Sequence, residues 1–238
     1  MTNGILLNGS ADIDFMIHGV FPYQFFGQTV WITTTHICLL IVLLLILAFA
    51  IAANRAMKHA SEVPGFFQNI VELVVEKLDG MVKMVMGKNA AKFANYIGTI
   101  FIFILISNFS GLLGLRPPTA DYGVTLPLGL ITFALIQING LRAKKIHHIT
   151  SLFQPSPILF PINLIGEIAV PLSLSLRLFG NIMSGTILMG LLYGLLPAAL
   201  KVGIPAVIHV YCDIFSGAIQ TYVFCMLTMV YINDKISD

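Results

Sequence analysis

The chain has 238 residues, of which 57% are hydrophobic and only 10% are charged, and its formal net charge at pH 7 is +2. A soluble domain carries about 25% charged residues, so this composition excludes a soluble domain and predicts an all-α polytopic membrane protein. The net charge is too small to predict a nucleic-acid partner.

The first predicted element is a membrane-spanning helix. No charged residue occurs between Phe15 and Asn54, and the densest apolar part of this run is Ile37–Ala53. With its flanks, the run is long enough to cross a hydrocarbon core of ~30 Å. Residues 1–29 contain no Lys or Arg, which predicts that the N-terminal segment lies on the outer side of the membrane.

An amphipathic helix is predicted next, over residues 64–88. Its apolar residues recur at helical spacing, while Glu72, Glu76, Asp79 and Lys83 follow one another at intervals of 4, 3 and 4 on the other face. The segment is too polar to cross a bilayer, so we expect it to lie on the membrane surface.

Three further apolar regions follow along the chain. Phe93–Leu115 and Tyr122–Leu141 are uncharged, and residues 155–232 predict an ion-path pair of long helices with a break between Leu196 and Pro205. Prolines at positions 155, 157, 161 and 171 argue against a straight start to the first of that pair. Residues 1–238 therefore predict a single membrane domain with about five membrane-embedded helices and one surface helix.

Lysine and arginine in the connections set the orientation. Residues 55–92 carry six of them, the connection 116–121 carries only Arg116, and the next loop carries Arg142, Lys144 and Lys145. Cytoplasmic loops hold the excess of positive charge. The pattern predicts an outer N-terminus, an inner amphipathic helix and, after five passes, a cytoplasmic C-terminus.

Arg177 is the most informative residue, because the 23 residues that follow it carry no Asp, Glu, Lys or Arg. A guanidinium stays protonated at physiological pH. Burying it in hydrocarbon costs at least ~2.5–3.5 kcal/mol on insertion scales. Ion transport is the leading reason for such a charge, since a fixed cation controls how a nearby carboxylate titrates.

Polar residues form two seams on the late helices when each residue advances by ~100°. Such seams normally face a protein interior or a water-filled cavity. The first seam contains Asn163, Glu167, Ser173, Arg177, Asn181 and Ser184, and the second contains His209, Asp213, Ser216 and Gln220. The candidate ion-translocation residues are Arg177, Asp213, Gln220, Asn181, Glu167, His209 and Ser184.

Structural interpretations of these residues stay open. Small hydroxyls suit close helix packing, and Asn181 and Gln220 are also suited to bonding across helices. His209 near a helix start is also compatible with an interfacial place. The alternative for Arg177 is a pairing with Glu167 or Asp213 as a structural lock.

No motif in the sequence points to catalysis by the chain itself. It contains no phosphate-binding loop, no Gly-x-Ser-x-Gly and no His-Glu-x-x-His. Cys38, Cys212 and Cys225 lie in apolar runs without metal-ligand spacing, so we expect no metal and no cofactor. The first residues lack a basic segment, so we expect no cleavable signal peptide.

At Leu174-Ser-Leu-Arg177-Leu-Phe-Gly-Asn181 the sequence resembles subunit a of the F-type ATP synthase of bacteria. The resemblance extends along nearly the whole chain. It includes Pro64-Gly-Phe-Phe-Gln-Asn-Ile-Val-Glu, Ser107-Asn108-Phe-Ser-Gly-Leu-Leu, Pro117–Asp121 and Gln220–Ile232. The arginine motif is highly specific, and the other segments corroborate it.

The resemblance implies roles for particular residues. Arg177 would be the essential stator arginine, with Asn181 as its polar neighbour and Gln220 packed near it from the last helix. The family's titratable pair on the entry side maps to Thr186 and Asp213. Thr186 cannot titrate, so Glu167 is a further candidate for that task.

The resemblance also implies an assembly and a mechanism. The partners would be the c-ring, the b-subunit stator and the lipid bilayer of a bacterial inner membrane, and the last two helices would be tilted around the ring. Two half-channels offset about Arg177 would make protons or sodium ions travel with the ring. The chain would be non-catalytic by itself, within a complex that makes ATP.

Two other functions are weighed against this one. A stand-alone secondary ion transporter or antiporter often shows internal repeats with broken helices at matching positions, and no clear repeat is found here. A structural scaffold would leave both charged seams unexplained. The sequence does not distinguish protons from sodium, because the ring's own ligands lie on another chain.

Overall fold

The fold of the chain is described by a computed structural model, which covers residues 19–25, 28–58, 65–113, 115–145, 150, 153, 156–196 and 203–236. Among these residues, five helices are long and apolar enough to cross a membrane, which confirms the predicted all-α polytopic class. One antiparallel hairpin, β1 (Gly19–Phe25) and β2 (Gln28–Thr33), was not predicted. Its aromatic and β-branched residues favour strands.

The helices follow the predicted order along the chain. They are α1 (Thr34–Lys58), α2 (Phe66–Met86), α3 (Ala90–Phe109), α4 (Tyr122–Lys144), α5 (Phe160–Leu195), α6 (Ile204–His209) and α7 (Gly217–Ile236). A π-helical segment, Val210–Ser216, joins α6 to α7 and makes them one continuous last helix. Short 3₁₀ turns occupy Gly87–Asn89, Ser110–Leu113, Pro118–Ala120 and Pro157–Leu159.

Helix α2 occupies the region predicted to be amphipathic, within residues 64–88, although position 64 lies outside the described residues. Val71, Val82 and Met86 are its buried side chains, and the helix packs against α3 and α7. It ends at Gly87, whose φ of +51° lies in a region that L side chains rarely adopt. Its place on the membrane surface stays a prediction.

The core lies between α3, α4, α5 and α7. Ile97 and Ile104 of α3, Leu178 of α5, and Phe224 and Met229 of α7 are almost fully buried in one cluster. Each of these helices therefore turns one apolar side inward and leaves the other for lipid or a partner chain.

Helix α5 is one of the two long helices predicted for residues 155–232. Its 36 residues span about 54 Å at 1.5 Å per residue, which exceeds a hydrocarbon core of ~30 Å. A helix of that length tilts if it crosses a bilayer, and the tilt itself stays a prediction. The predicted break is consistent with the end of α5 at Leu195 and the start of α6 at Ile204, while residues 197–202 lie outside the described residues.

Parts of the predicted loops also lie outside the described residues. These are positions 1–18 and 26–27 of the predicted outer segment, and positions 146–149 of the loop that follows Lys144 and Lys145. The orientation of the chain in a membrane stays a prediction.

The close crossing of α4 and α5 depends on a glycine. A β-carbon placed on Gly129 would lie 2.7 Å from the carbonyl oxygen of Pro171 and 3.2 Å from the β-carbon of Ser175. The contact at 2.7 Å is too short for real atoms and involves backbone, so the helices would have to separate. This crossing positions the part of α5 that leads to Arg177.

We expect Gly129→Ala to destabilise the protein by about 1–3 kcal/mol, the usual range for overpacking. The measurement is the midpoint of thermal unfolding of the detergent-solubilised protein. The matched control is Gly166→Ala, because a β-carbon at Gly166 meets nothing within 4 Å. Equal midpoints for the two variants would contradict this account of the crossing.

Candidate functional site

Helix α5 presents two different faces near Arg177. Leu174, Ser175 and Leu178 are buried on the side that packs against α4 and α7. Arg177 lies on the opposite, exposed side, in a stripe that recurs at spacings of three and four residues. The stripe consists of Ser173, Leu176, Arg177, Gly180 and Ser184.

The guanidinium of Arg177 forms no hydrogen bond or ion pair with any of the residues that the structure describes. In particular, Glu167 and Asp213 have other partners, described below. The interpretation of Arg177 as an internal lock with either carboxylate is therefore wrong for this fold. The charge lies beside exposed apolar surface such as Leu176, which is 53% exposed.

The two predicted polar seams meet at Asn181. The hydroxyl of Ser216 donates to Oδ1 of Asn181 over 2.9 Å, and Ser216 belongs to the π-helical segment. Nδ2 of Asn181 and Nε2 of Gln220 are both buried, and no acceptor among the described residues bonds either. Leaving a buried donor unpaired costs about 1–3 kcal/mol, so these two amides reduce the stability of the packing between α5 and the last helix.

Asp213 lies in the middle of the π-helical segment, a conformation that occurs frequently at functional sites. Its Oδ2 is 2.7 Å from Nδ1 of His209, one turn earlier. The side chains are 21% and 36% exposed, respectively, so neither is sealed in the core. The two titratable groups of the second seam therefore form a hydrogen-bonded pair.

A cavity of about 350 Å³ separates this pair from Asn181. Three parts of the chain enclose it, namely the end of α3 with the segment that follows, the second half of α5, and the start of the last helix. Arg177 lies one helical turn before Asn181, about 6 Å along the axis. The polar lining consists of Asn108, Arg116, Asn181, Thr186, His209 and Asp213.

Thr186 lines the same cavity, but its hydroxyl donates to the carbonyl oxygen of Ile182 over 3.0 Å. The donor of this hydroxyl is therefore already used in a hydrogen bond within α5. Asp213 is then the carboxylate in the cavity lining.

The structure brings Glu167 into a different site. Its carboxylate forms an ion pair with Nζ of Lys235 near the end of α7, and Nε2 of Gln137 on α4 donates to it over 2.7 Å. Glu167 lies ten residues before Arg177, or about 15 Å along α5, while Asn181 and Thr186 follow Arg177. Glu167 lies outside the cavity lining that contains Asp213, so the structure does not bring together the two carboxylates that were expected to share a half-channel.

Three other candidate residues, Arg177, Ser184 and Gln220, also lie outside the cavity lining. The hydroxyl of Ser184 is exposed and donates to the carbonyl oxygen of Asn181 over 2.9 Å. Gln220 is 7% exposed and lies on the buried side of α7. The π-helical turn before Gln220 explains why this residue diverges from Asp213, because the assumption of 100° per residue fails over Val210–Ser216.

Asn108 was not predicted as a site residue, yet it connects three parts of the cavity wall. Its Nδ2 donates to the carbonyl oxygen of Gly217 over 3.1 Å, and its Oδ1 accepts from the hydroxyl of Thr119 over 2.8 Å. A β-carbon on Gly217 would lie 3.1 Å from that of Asn108, so glycine permits this approach. The signal in the sequence was an amide within the apolar run Phe93–Leu115.

Arg116 was used only to predict the orientation of the chain in the membrane, although it lines the cavity. It is the one cation between α3 and α4, which was the available clue. Among the residues that the structure describes, no cluster of three or more His, Cys, Asp or Glu side chains is arranged to hold a metal ion.

Comparison with known proteins shows a match over most of the chain. The family described as ATP synthase A chain matches residues 36–233. The sodium-ion-specific ATP synthase subunit a of Propionigenium modestum is 39% identical over 198 residues, which are 76% of this chain and 67% of the relative.

Two further relatives come from different sources. ATP synthase subunit a of Moorella thermoacetica is 35% identical over 194 residues, covering 81% of this chain and 85% of the relative. The chloroplastic ATP synthase subunit a of Stigeoclonium helveticum is 36% identical over 205 residues, covering 81% of this chain and 80% of the relative.

Proposed function

Because this chain belongs to the family of ATP synthase A chains, we propose that it is the ion-translocating stator subunit of an F-type ATP synthase. Arg177 couples ion movement to rotation of a c-ring, and the b-subunit is a second protein partner. The chain does not itself carry the catalytic chemistry of ATP synthesis, which belongs to another part of the complex.

The observation that carries the proposal is the exposed guanidinium of Arg177, without a partner among the described residues. A permanent cation on an otherwise apolar surface needs an anion from another molecule. Gly180 and Ser184 lie beside it in the exposed stripe, and small residues let two helices approach closely in a membrane. A ring helix with a central carboxylate has the chemistry that this surface requires.

The mechanism follows from electrostatics. A ring carboxylate is neutral while it faces lipid, and the nearby Arg177 charge lowers its pKa so that it releases its ion. Ions cannot pass Arg177 directly from one half-channel to the other, because the guanidinium repels a cation that approaches it. They therefore enter on one side of Arg177, travel with the ring and leave on the other. Each charge carried across 100 mV supplies ~2.3 kcal/mol.

The cavity that contains Asp213 is the outer half-channel in this proposal. The loop charges favour an outer N-terminus and a cytoplasmic C-terminus, so the part of α5 after Arg177 faces the outer side. Asn181 and Thr186 belong to that part and line the cavity with Asp213. The pair of Glu167 and Lys235 then belongs to the cytoplasmic side.

The cellular setting is the inner membrane of a bacterium, with protons or sodium as the transported ion. Bacterial relatives and several helices of spanning length support this setting. One relative is named as sodium-specific, which makes sodium a realistic alternative to protons for this chain.

A cross-linking experiment on the whole complex tests the proposed ring contact. With Cys38, Cys212 and Cys225 first replaced, we expect Ser184→Cys to form a disulfide with a cysteine scanned along the outer ring helix, because Ser184 lies in the exposed stripe with Arg177. Leu44→Cys is the control, since Leu44 is 55% exposed on α1, outside the stripe. The protein should also co-purify with a ring and a soluble ATPase.

Two results would contradict the proposed function. One is purification of the chain as a self-sufficient transporter without a ring or ATPase. The other is a ring cross-link at position 44 and none at position 184. The first would favour the secondary-transporter alternative.

A further inference from the structure

We propose that His209 and Asp213 act as one proton-transferring unit in the outer half-channel, an inference that rests on the proposed function. The ring nitrogen Nδ1 of His209 and Oδ2 of Asp213 are 2.7 Å apart, a distance at which a proton passes directly. Both side chains line the same cavity of about 350 Å³. The histidine thereby supplies a second titratable group in a cavity where α5 offers only Thr186.

The surroundings of His209 hold the imidazole in place. Its ring lies 6.2 Å from the ring of Tyr193 on α5, and its Nδ1 is directed to the carboxylate one turn later. Both members of the unit lie on the last helix, one turn apart, and the ring of Tyr193 lies beside the imidazole from α5. The titratable or charged groups that surround His209 in the described residues are Tyr193 from α5, Arg116 from the segment after α3, and Cys212 and Asp213 from its own helix.

The transfer is a balanced exchange of one proton. A proton from the outer solution binds Nε2 of neutral His209, and the imidazolium gives its Nδ1 proton to Oδ2 of Asp213. This leaves a neutral imidazole and a neutral carboxylic acid. Asp213 then gives the proton to water in the cavity, which carries it to the deprotonated carboxylate of the ring. Water also takes up the Nε2 proton of His209 and returns one to Nδ1, so the starting tautomer is restored without a net change in protons.

The choice of a histidine is physically sensible at this position. Imidazole is the side chain that ordinarily gains and loses a proton between about pH 5 and 8. Asp213 lines the cavity from the π-helical turn, and His209 lines it from the α-helical turn just before.

The test is passive proton flux through the whole membrane sector in vesicles, measured from pH 5 to 9 in sodium-free medium. We expect His209→Gln to lower the flux about tenfold or more, since a positioned proton-transfer group contributes at least that much. Glutamine keeps a donor for Asp213 but cannot carry a proton. The dependence of the flux on pH should also change, because the group that binds and releases the proton has been removed.

The matched control is His36→Gln, which removes an exposed histidine near the start of α1, outside the cavity lining, and should leave the flux within about twofold of the unchanged chain. A second variant, His209→Gln with Thr186→His, returns an imidazole to the same cavity and should recover part of the flux. If His209→Gln does not assemble with the ring, His209→Asn replaces it in the same comparison.

The outcomes separate this inference from the proposed function. Flux within about twofold of the unchanged chain for His209→Gln, with the same pH profile, would overturn the inference. A uniform fall at every pH would also overturn it, because that marks a hydrogen bond that only holds Asp213. If the unchanged chain with its ring conducts no ions at all, the proposed function itself has failed.

Discussion

Replacing Arg177 with alanine is expected to abolish ion-coupled ATP synthesis while the complex still assembles. A charge pair about 4 Å apart contributes about 4 kcal/mol at an effective dielectric constant of about 20. Its loss corresponds to roughly a thousandfold lower rate, which is background in a coupled assay. Assembly should persist, because Arg177 is exposed and has no partner among the described residues. The measurement is ATP synthesis by reconstituted vesicles under an imposed ion gradient.

Two further variants sharpen the experiment. Arg177→Lys should also fail substantially, because an ammonium is more strongly hydrated and lacks the planar guanidinium. Arg55→Ala is the control, since Arg55 is an exposed cation in the last turn of α1. Normal coupled synthesis by Arg177→Ala would rule out the proposed mechanism.

Asp213→Asn is expected to slow ion entry by about tenfold or more, the contribution of a positioned proton-transfer group. The change preserves shape and a hydrogen bond with His209 but removes the carboxylate from the cavity lining. Thr186→Val is the matched control in that lining, because Thr186 has no titratable group. The measurement is passive ion flux through the membrane sector of each variant.

The result for Asp213 distinguishes an ion path from a packing role. Near-normal flux for both variants would show that neither side chain carries the ion. A slower flux for Thr186→Val than for Asp213→Asn would assign entry to α5 instead of the π-helical segment. Co-purification with the ring, measured in parallel, separates lost conduction from lost assembly.

Much of this protein follows from its sequence alone. The length of each apolar run and the scarcity of charge predict the helices α1, α3, α4 and α5, because backbone polar groups in lipid must bond within a helix. The pattern of Glu72, Glu76, Asp79 and Lys83 predicts α2 by the same local rule of periodicity. These predictions need no knowledge of which helices touch.

The position of Arg177 in an uncharged run is likewise a local fact, and so is the family motif around it. The sequence also places Asn181 one turn from Arg177 and Asp213 one turn from His209, because helical spacing determines neighbours on one helix. Which way each seam faces is a different question.

Only the tertiary structure decided the partners that lie far apart in the chain. Glu167 is paired with Lys235, 68 residues later, which no periodicity connects. Asn108 bonds Gly217 and Thr119, and Arg116 joins Asn181 and Asp213 around one cavity. These contacts depend on how helices cross, and the crossing of α4 with α5 depends in turn on Gly129 beside Pro171.

The tertiary structure also decided the path of the last helix. A helical projection of the sequence assumes a rotation of about 100° per residue around the helix axis. The π-helical turn over Val210–Ser216 departs from that rotation, so Asp213 and Gln220 no longer share one side of the last helix. Asp213 thereby faces the cavity, while Gln220 enters the packed core. Local spacing determined the helices and the identity of the charges, and long-range packing determined which charges meet, because contacts between helices carry no periodic signal in the chain.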